Sequence, residues 1–386
     1  MGTEPEEGRA DGLTCEMNKK AYLILFLAIV ALVSCNSGKV SEVQTGGDTL
    51  RLGYSRLLTI VDYEKYKVVD IADPWKKGRV LHRYVLVSDS TASHLPEGTV
   101  INVPVKRAMV FTTVHASLFA DLGATNCIKG MADVGYLKRK DIKALVDNKT
   151  IADVGSGMSP DIEKIIDGSP DIVMVSPFEN SGGYGKLDEL QIPLVECADY
   201  MEMSPLARAE WMRFYGILVG KEAVADSLFK CVETSYNEIK ASVRNKGTKP
   251  RVVVDIPSGN VWYVPGGKST IGQMVADAGG DYCFADNAQG GSLAMSVETV
   301  IDKCEDADVW LFRYGGPVKT IESMAAENKA FTHIKALKDK NLWGCSTERT
   351  TFYESTPFHP DELLKEFLLM FHPEYSAKTI FFEKLN

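Results

Sequence analysis

KEAVADSLFKCVETSYNEIKASVRN, residues Lys221–Asn245, contains neither Pro nor Gly. Val224, Leu228, Val232, Tyr236, Ile239 and Val243 recur at steps of four and three, which sets them on one face of a helix. Charged and polar residues fill the other faces. At 1.5 Å per residue the helix is roughly 37 Å long, about the diameter of a small domain. Gly247 and Pro250 stop it, and a strand-like run, Arg251–Ile256, follows at once. The chain reads alike on its two sides. The helix is therefore expected to be a rigid strut between two similar lobes; the plainer reading is a surface helix.

The likeness is visible in two stretches. Ser159-Pro-Asp-Ile-Glu163 leads through Ile165-Ile166-Asp167 to Asp171-Ile-Val-Met-Val, and Ser296-Val-Glu298 leads through Val300-Ile301-Asp302 to Asp308-Val-Trp-Leu-Phe. Each runs cap, Glu, apolar pair, Asp, buried strand. Each lobe thus carries one helix–strand unit with its Glu in the first helical turn. Around these units strands and helices alternate, the pattern of an α/β fold. On the first side the pattern predicts strands at Ala108–Thr112, Asn126–Gly130, Asp171–Ser176 and Ile192–Glu196. It predicts helices at Val114–Leu122 and Asp161–Asp167, and another from Ser204-Pro205 to Gly220. On the second side strands are expected at Arg251–Ile256 and Val309–Tyr314. Helices are expected at Ile271–Ala278, Val297–Cys304, Phe331–Leu337 and Asp361–Phe371.

Upstream the rhythm differs. Tyr66–Ile71, Leu81–Val87 and Thr99–Val103 read as strands between turn signals at Pro74 and Pro96-Glu97-Gly98, a hairpin-rich entry to the first lobe. Earlier still, Asn18-Lys19-Lys20 precedes the apolar run Ala21–Val33, closed by Leu32-Val33-Ser34-Cys35. That is a secretory signal, and too short an apolar run for a membrane span. The acidic residues 1–16 are wrong for the start of a signal, which points to Met17 as the initiator. Leu-Val-Ser-Cys resembles the bacterial lipobox, which implies that Cys35 takes lipid and becomes the mature N-terminus. The expected organisation is signal peptide 1–34, tether and entry 35–105, first lobe 106–203, helices with the strut 204–248, and second lobe 249–386.

Composition narrows function. A chain of 386 residues is long enough for two domains, and 45% hydrophobic with 25% charged residues is ordinary for a globular protein. A net charge of −9 argues against nucleic acid as a partner. The eight cysteines form no CxxC and no cluster with His at zinc spacing, so core thiols are expected, with a stray disulfide as the alternative. Gly266-Gly-Lys-Ser-Thr270 imitates the end of a phosphate-binding loop, but Trp262 stands where the motif needs its first Gly. No G-x-S-x-G or H-E-x-x-H occurs, and no constellation makes an active site.

Taken together, the chain over roughly Lys106–Tyr375 resembles the substrate-binding lipoproteins of ABC importers for iron–siderophore, haem and cobalamin. The marks are Leu122-Gly123 with Ile128-Lys-Gly130, the Glu163…Pro170-Asp171 unit, the strut, Gly266–Ile271 with Ala278-Gly-Gly280, Glu298…Ala307-Asp308, Leu337…Asn341-Leu-Trp343, and His359–Leu364 with His372-Pro-Glu374. The resemblance implies two Rossmann-like lobes joined by one long helix, a ligand cleft between them, no enzymatic activity and no cofactor, the ligand being a metal chelate. It implies a monomer on a lipid anchor, outside the membrane, serving a permease dimer and its ATPase subunits. Glu163 and Glu298 fall where the family carries exposed acids that meet permease arginines.

Strand-end loops line clefts in such sheets. The expected contacts are therefore Thr113, His115 and Phe178 from the first lobe and Trp262, Tyr263, Arg313, Tyr314, Arg349 and Tyr353 from the second. The aromatics suit a flat or catecholate ligand, and the arginines suit anionic oxygens. The competing readings are a cobalamin or haem receptor, a free metal-ion receptor, and a metal-cluster enzyme subunit on a similar fold.

Overall fold

The computed structural model describes residues 46–386, except 181–182, 245–246 and 376. The signal segment, Cys35 and most of the tether lie outside the described residues. Two five-stranded sheets form the lobes. The first runs Leu194–Glu196, Ile172–Val175, Ala108–Val110, Ile128–Met131, Ala152–Asp153, all neighbours parallel. The second runs Asp281–Tyr282, Arg251–Val254, Val309–Tyr314, Leu342–Ser346, Glu383–Lys384, parallel except for its last strand. Their central strands read as near-continuous apolar runs because helices cover both faces; Val173, Met174, Val253, Trp310 and Leu311 are all buried. The protein is thus α/β with two lobes and a single long connecting helix.

That helix spans Glu222–Val243, followed by the αR cap Arg244. Its buried face is Ala225, Phe229, Val232, Tyr236 and Val243, with Leu228 and Ile239 at the margin. Val224, expected on that face, is exposed. The first turns are rotated by one residue because Ala225 is pressed onto the preceding helix, Met212–Leu218. A Cβ at Gly216 would stand 2.5 Å from the Ala225 Cβ, so only Gly allows this crossing. The helix expected over 204–220 is two, Pro205–Glu210 and Met212–Leu218, joined at Trp211, with Ser204 capping and Pro205 at its first position. Phe331–Leu337 is also broken: a 3-10 turn Lys329–His333 and a short helix Lys335–Lys338 meet at the extended residue Ile334.

Ahead of the first lobe lies a mainly antiparallel sheet of Asp48–Thr49, Leu58–Asp62, Tyr66–Ala72, Val80–Val87 and Thr99–Asn102 in that order, only the last pair being parallel. Two buried carboxylates fasten it. Glu210 accepts the N–H groups of Gly53, Tyr54 and Ser55 at 2.8–2.9 Å. Glu202 accepts those of Arg56 and Leu57, and the Trp211 indole N–H at 2.9 Å. Both acids belong to the 202–210 segment, so the entry sheet is tied to the helices that precede the strut. Among the described cysteines all six are free thiols, five of them buried.

Candidate functional site

The lobes meet across a cleft at the C-terminal ends of their strands, where open α/β sheets place ligands. One cavity of ≈ 490 Å³ takes lining from both lobes: Phe111, Thr112, Thr113, Asp133, Tyr136 and Lys138 face Thr347, Glu348, Thr350, Tyr353 and Glu354. A second, of ≈ 390 Å³, shares Phe111, Thr112 and Asp133 with it and runs under Met158, Phe178 and Tyr184. Each is of a size to take a mid-sized ligand. Exposed aromatic surface marks the walls: Tyr136 is 73% exposed, Tyr353 52% and Phe178 47%. Asp133 sits in the left-handed region at φ 55°, and its carboxylate accepts the Gly157 N–H at 3.2 Å, joining the two loops of the first lobe.

Of the residues expected in the cleft, Thr113, Phe178 and Tyr353 line these cavities. Trp262 does not. It is fully buried, stacked on Trp310 at 5.5 Å and edge-on to Phe331, and its indole N–H donates to the Val254 carbonyl. Tyr263 is half exposed on the opposite face of the same strand. Side chains alternate along a strand, so these neighbours point to opposite faces. His115 is also buried, with Nε2 2.8 Å from Asp199 and 3.2 Å from the Tyr215 hydroxyl, and Nδ1 on Thr112 Oγ1.

Burial alone would push the His115 pKa down; Cys197 and Asp199 outweigh it and hold it up at about 10. Burial opposes ionisation of Asp199 as well, but His115 and Arg208 keep its carboxylate down at about 2. The imidazolium then donates through Nε2 to Asp199 and through Nδ1 to Thr112, whose own hydroxyl proton is left to offer to the cleft. His115 thus acts behind the site. Arg313 is committed to a two-bond pair with Asp255, at 3.0 and 2.6 Å. Arg349 donates to the Tyr314 hydroxyl at 3.1 Å and lies over its ring. Tyr263, Arg313, Tyr314 and Arg349 are not among the residues that line either cavity.

Sequence reasoning missed Phe111, Asp133, Tyr136, Glu348 and Glu354. Phe111 was legible as the end of a strand; the others lie on irregular turns and a one-turn helix, Phe352–Ser355, with no periodic signal. That short helix packs on Thr113–Asp121 of the other lobe. Glu354 there accepts the Lys138 N–H at 2.7 Å, and His359 meets Asp121 at 3.1 Å, so one end of the cleft is clamped. Among the described residues no group of three or more His, Cys, Asp or Glu stands where it could hold a metal ion.

Glu163 and Glu298 occupy equivalent positions. Each is the second residue of its helix, exposed, and follows a cap, Asp161 or Ser296, whose side chain accepts the N–H two residues beyond the first helical position. Among the described residues neither makes a salt bridge.

Two lobes on parallel sheets, one long linking helix and a cleft lined from both sides define a ligand-binding protein of the substrate-capturing kind. Residues 110–347 match the model of the periplasmic binding protein family, and the chain belongs to that family. It is 30% identical over 302 residues to an uncharacterized lipoprotein of Methanocaldococcus jannaschii, covering 74% of this chain and 70% of the relative. Its fold is similar to an ABC-type Fe3+-hydroxamate transport system from Saccharomonospora viridis (TM-score 0.53, 16% identity, 71% of this chain and 94% of the other). It is also similar to a periplasmic heme binding protein from Pseudomonas aeruginosa (TM-score 0.55, 14% identity, 73% and 98%). The periplasmic binding protein family is one of substrate-binding proteins and not of enzymes. The family match begins beyond the entry sheet.

Proposed function

We propose that this chain is the substrate-binding lipoprotein of an ABC importer, capturing one iron-siderophore-type chelate between its lobes and delivering it to a permease dimer. The observation that carries the reading is the pair of adjoining cavities walled by aromatics from both lobes. Flat or ring-bearing ligands gain on the order of 0.5–1.5 kcal/mol per aromatic face beyond their buried area. The Fe3+-hydroxamate neighbour supports a siderophore chelate. The heme-binding neighbour favours a second reading, haem or the similarly large cobalamin. Thr113, Phe178 and Tyr353 are the contacts retained from the sequence, with Phe111 and Tyr136 added. Titration calorimetry against a ferric trihydroxamate, haem and cobalamin tests it. One of them should bind one-to-one, and Tyr353→Ala with Phe178→Ala should weaken it tenfold or more, on the order of 1.4 kcal/mol. Unchanged affinity in both variants would place the ligand elsewhere.

Anchoring follows the same reading: Cys35 carries lipid and holds the protein at the periplasmic or outer cell surface. A single chain anchors marginally and two or three anchor stably. Labelled palmitate should enter the wild type and not Cys35→Ala; equal labelling would refute the anchor.

A further inference from the structure

We propose that Cys283 and Cys304 close to a disulfide when the chain folds under oxidising conditions, stapling the helix Val297–Cys304 to the edge of the second sheet. The inference is independent of the ligand. It needs only the oxidising setting outside the membrane, where disulfides persist and where periplasmic binding proteins work. Cys304 is the last residue of its helix. Cys283 directly follows the edge strand Asp281–Tyr282, and its N–H donates to the Val252 carbonyl at 3.0 Å, so the sheet fixes its position. Cys304 is fully buried and Cys283 is 3% exposed. The two thiols are in hydrogen-bond contact with each other. The other buried thiols among the described residues meet oxygen instead: Cys127 meets Asn126, Cys197 the Val195 carbonyl and Cys345 Thr350.

Charge and packing bring the two stretches together independently of the sulfurs. The Arg251 guanidinium donates to the Lys303 carbonyl at 3.1 Å and to Asp281 at 3.2 Å, one residue before Cys304 and two before Cys283. Lys303 in turn reaches Asp286 at 3.0 Å and lies 5.1 Å from the centre of the Phe284 ring. Both cysteines are thus framed by residues that hold each other. Thiols that already touch need side-chain rotation, not a backbone movement, to bond. The contact with Cys283, together with burial, pushes the Cys304 thiol up, which leaves little thiolate to react once the core has formed. The bond therefore forms during folding. One thiolate attacks a small-molecule disulfide such as glutathione disulfide and releases a thiol; the second thiolate then displaces the other half. One S–S bond breaks and one forms, and the protons and electrons of the pair leave with the released thiols. The closed segment carries the carbonyls of Phe284, Ala285, Asn287 and Gln289, which crowd Gly266 and Gly267 so closely that a Cβ there would stand 2.2–2.7 Å from them. The staple secures this collar round the Gly-Gly turn and the helix that bears Glu298.

The test makes the full chain by cell-free synthesis, once with a mixture of glutathione and glutathione disulfide and once with glutathione alone. Each product is denatured in N-ethylmaleimide, digested and mapped by mass. In the oxidised product Cys283 and Cys304 should escape the label, and their two peptides should be joined. Its melting temperature should exceed that of the reduced product by about 5 °C or more, because closing a loop of this length constrains the unfolded chain. In Cys283→Ala with Cys304→Ala the two conditions should give one melting temperature. Mapping of the wild type decides the matter even where that variant does not fold. Both thiols labelled after oxidising synthesis overturns the proposal. So does either cysteine joined to a different one or capped by glutathione, or a closed pair that leaves the melting temperature unchanged.

Discussion

Glu210 is a single side chain on which a whole sheet depends. It is buried, and three consecutive backbone N–H groups, Gly53 to Ser55, have it as their acceptor. Glu210→Ala should cost about 2–4 kcal/mol, since it leaves buried donors unpaired rather than merely removing a bond. Urea unfolding reads the loss, and hydrogen exchange at residues 53–55 should rise before the rest of the chain. The buried His115–Asp199 pair gives stability a pH dependence with a definite sign. The imidazole's pKa is raised from 6.5 to about 10, so its contribution is complete below about 6.5 and is lost as pH rises through 10. The melting temperature should fall across that window, and Asp199→Asn should flatten the fall; a wild type that is flat from pH 7 to 10 would contradict the pairing. At this scale the sequence misleads most. Trp262 and Tyr263 both looked like cleft aromatics, although strand alternation lets only one face any given side. Glu354 carried no signal at all, because only tertiary packing brings its carboxylate to the Lys138 N–H of the other lobe.

Elements were far more legible than residues. The strut, both repeated helix–strand units and the central strands lie within a residue or two of where apolar periodicity and cap residues put them. Where periodicity is interrupted by contacts, it fails. Val224 is turned outward because the crossing at Gly216 brings Ala225 inward, and nothing local in the helix encodes that. Two substitutions separate the causes. Gly216→Val should destabilise by about 1–3 kcal/mol through a forced clash with Ala225 and Lys221. Val224→Lys should change stability by no more than about 0.5 kcal/mol, as for other exposed sites. Comparable losses in both would mean that the helix buries the face its periodicity suggested. The entry sheet was legible as hairpin-rich strands between turns. Leu58–Asp62 was missed because its Leu-Thr-Ile-Val-Asp is too short to show alternation beside the loop that Glu202 and Glu210 hold.

The whole molecule places two helix-borne acids, one per lobe, on a scaffold stiffened by the strut and by the clamp of Glu354 and His359 across the lobes. Glu163 and Glu298 are proposed to address two basic pockets on the permease dimer. Such charges orient docking more than they tighten it, and engaging both at once raises effective concentration without new contacts. The alternative is that each is only a helix-dipole acid, worth roughly 0.3–1 kcal/mol in a first turn. Neither lines the cleft. The most direct test of the account is therefore uptake of the bound chelate by cells carrying Glu163→Lys with Glu298→Lys, with ligand affinity of the purified variant measured alongside. The account predicts affinity near wild type and uptake sharply reduced. A folded double variant that supports wild-type uptake would contradict it.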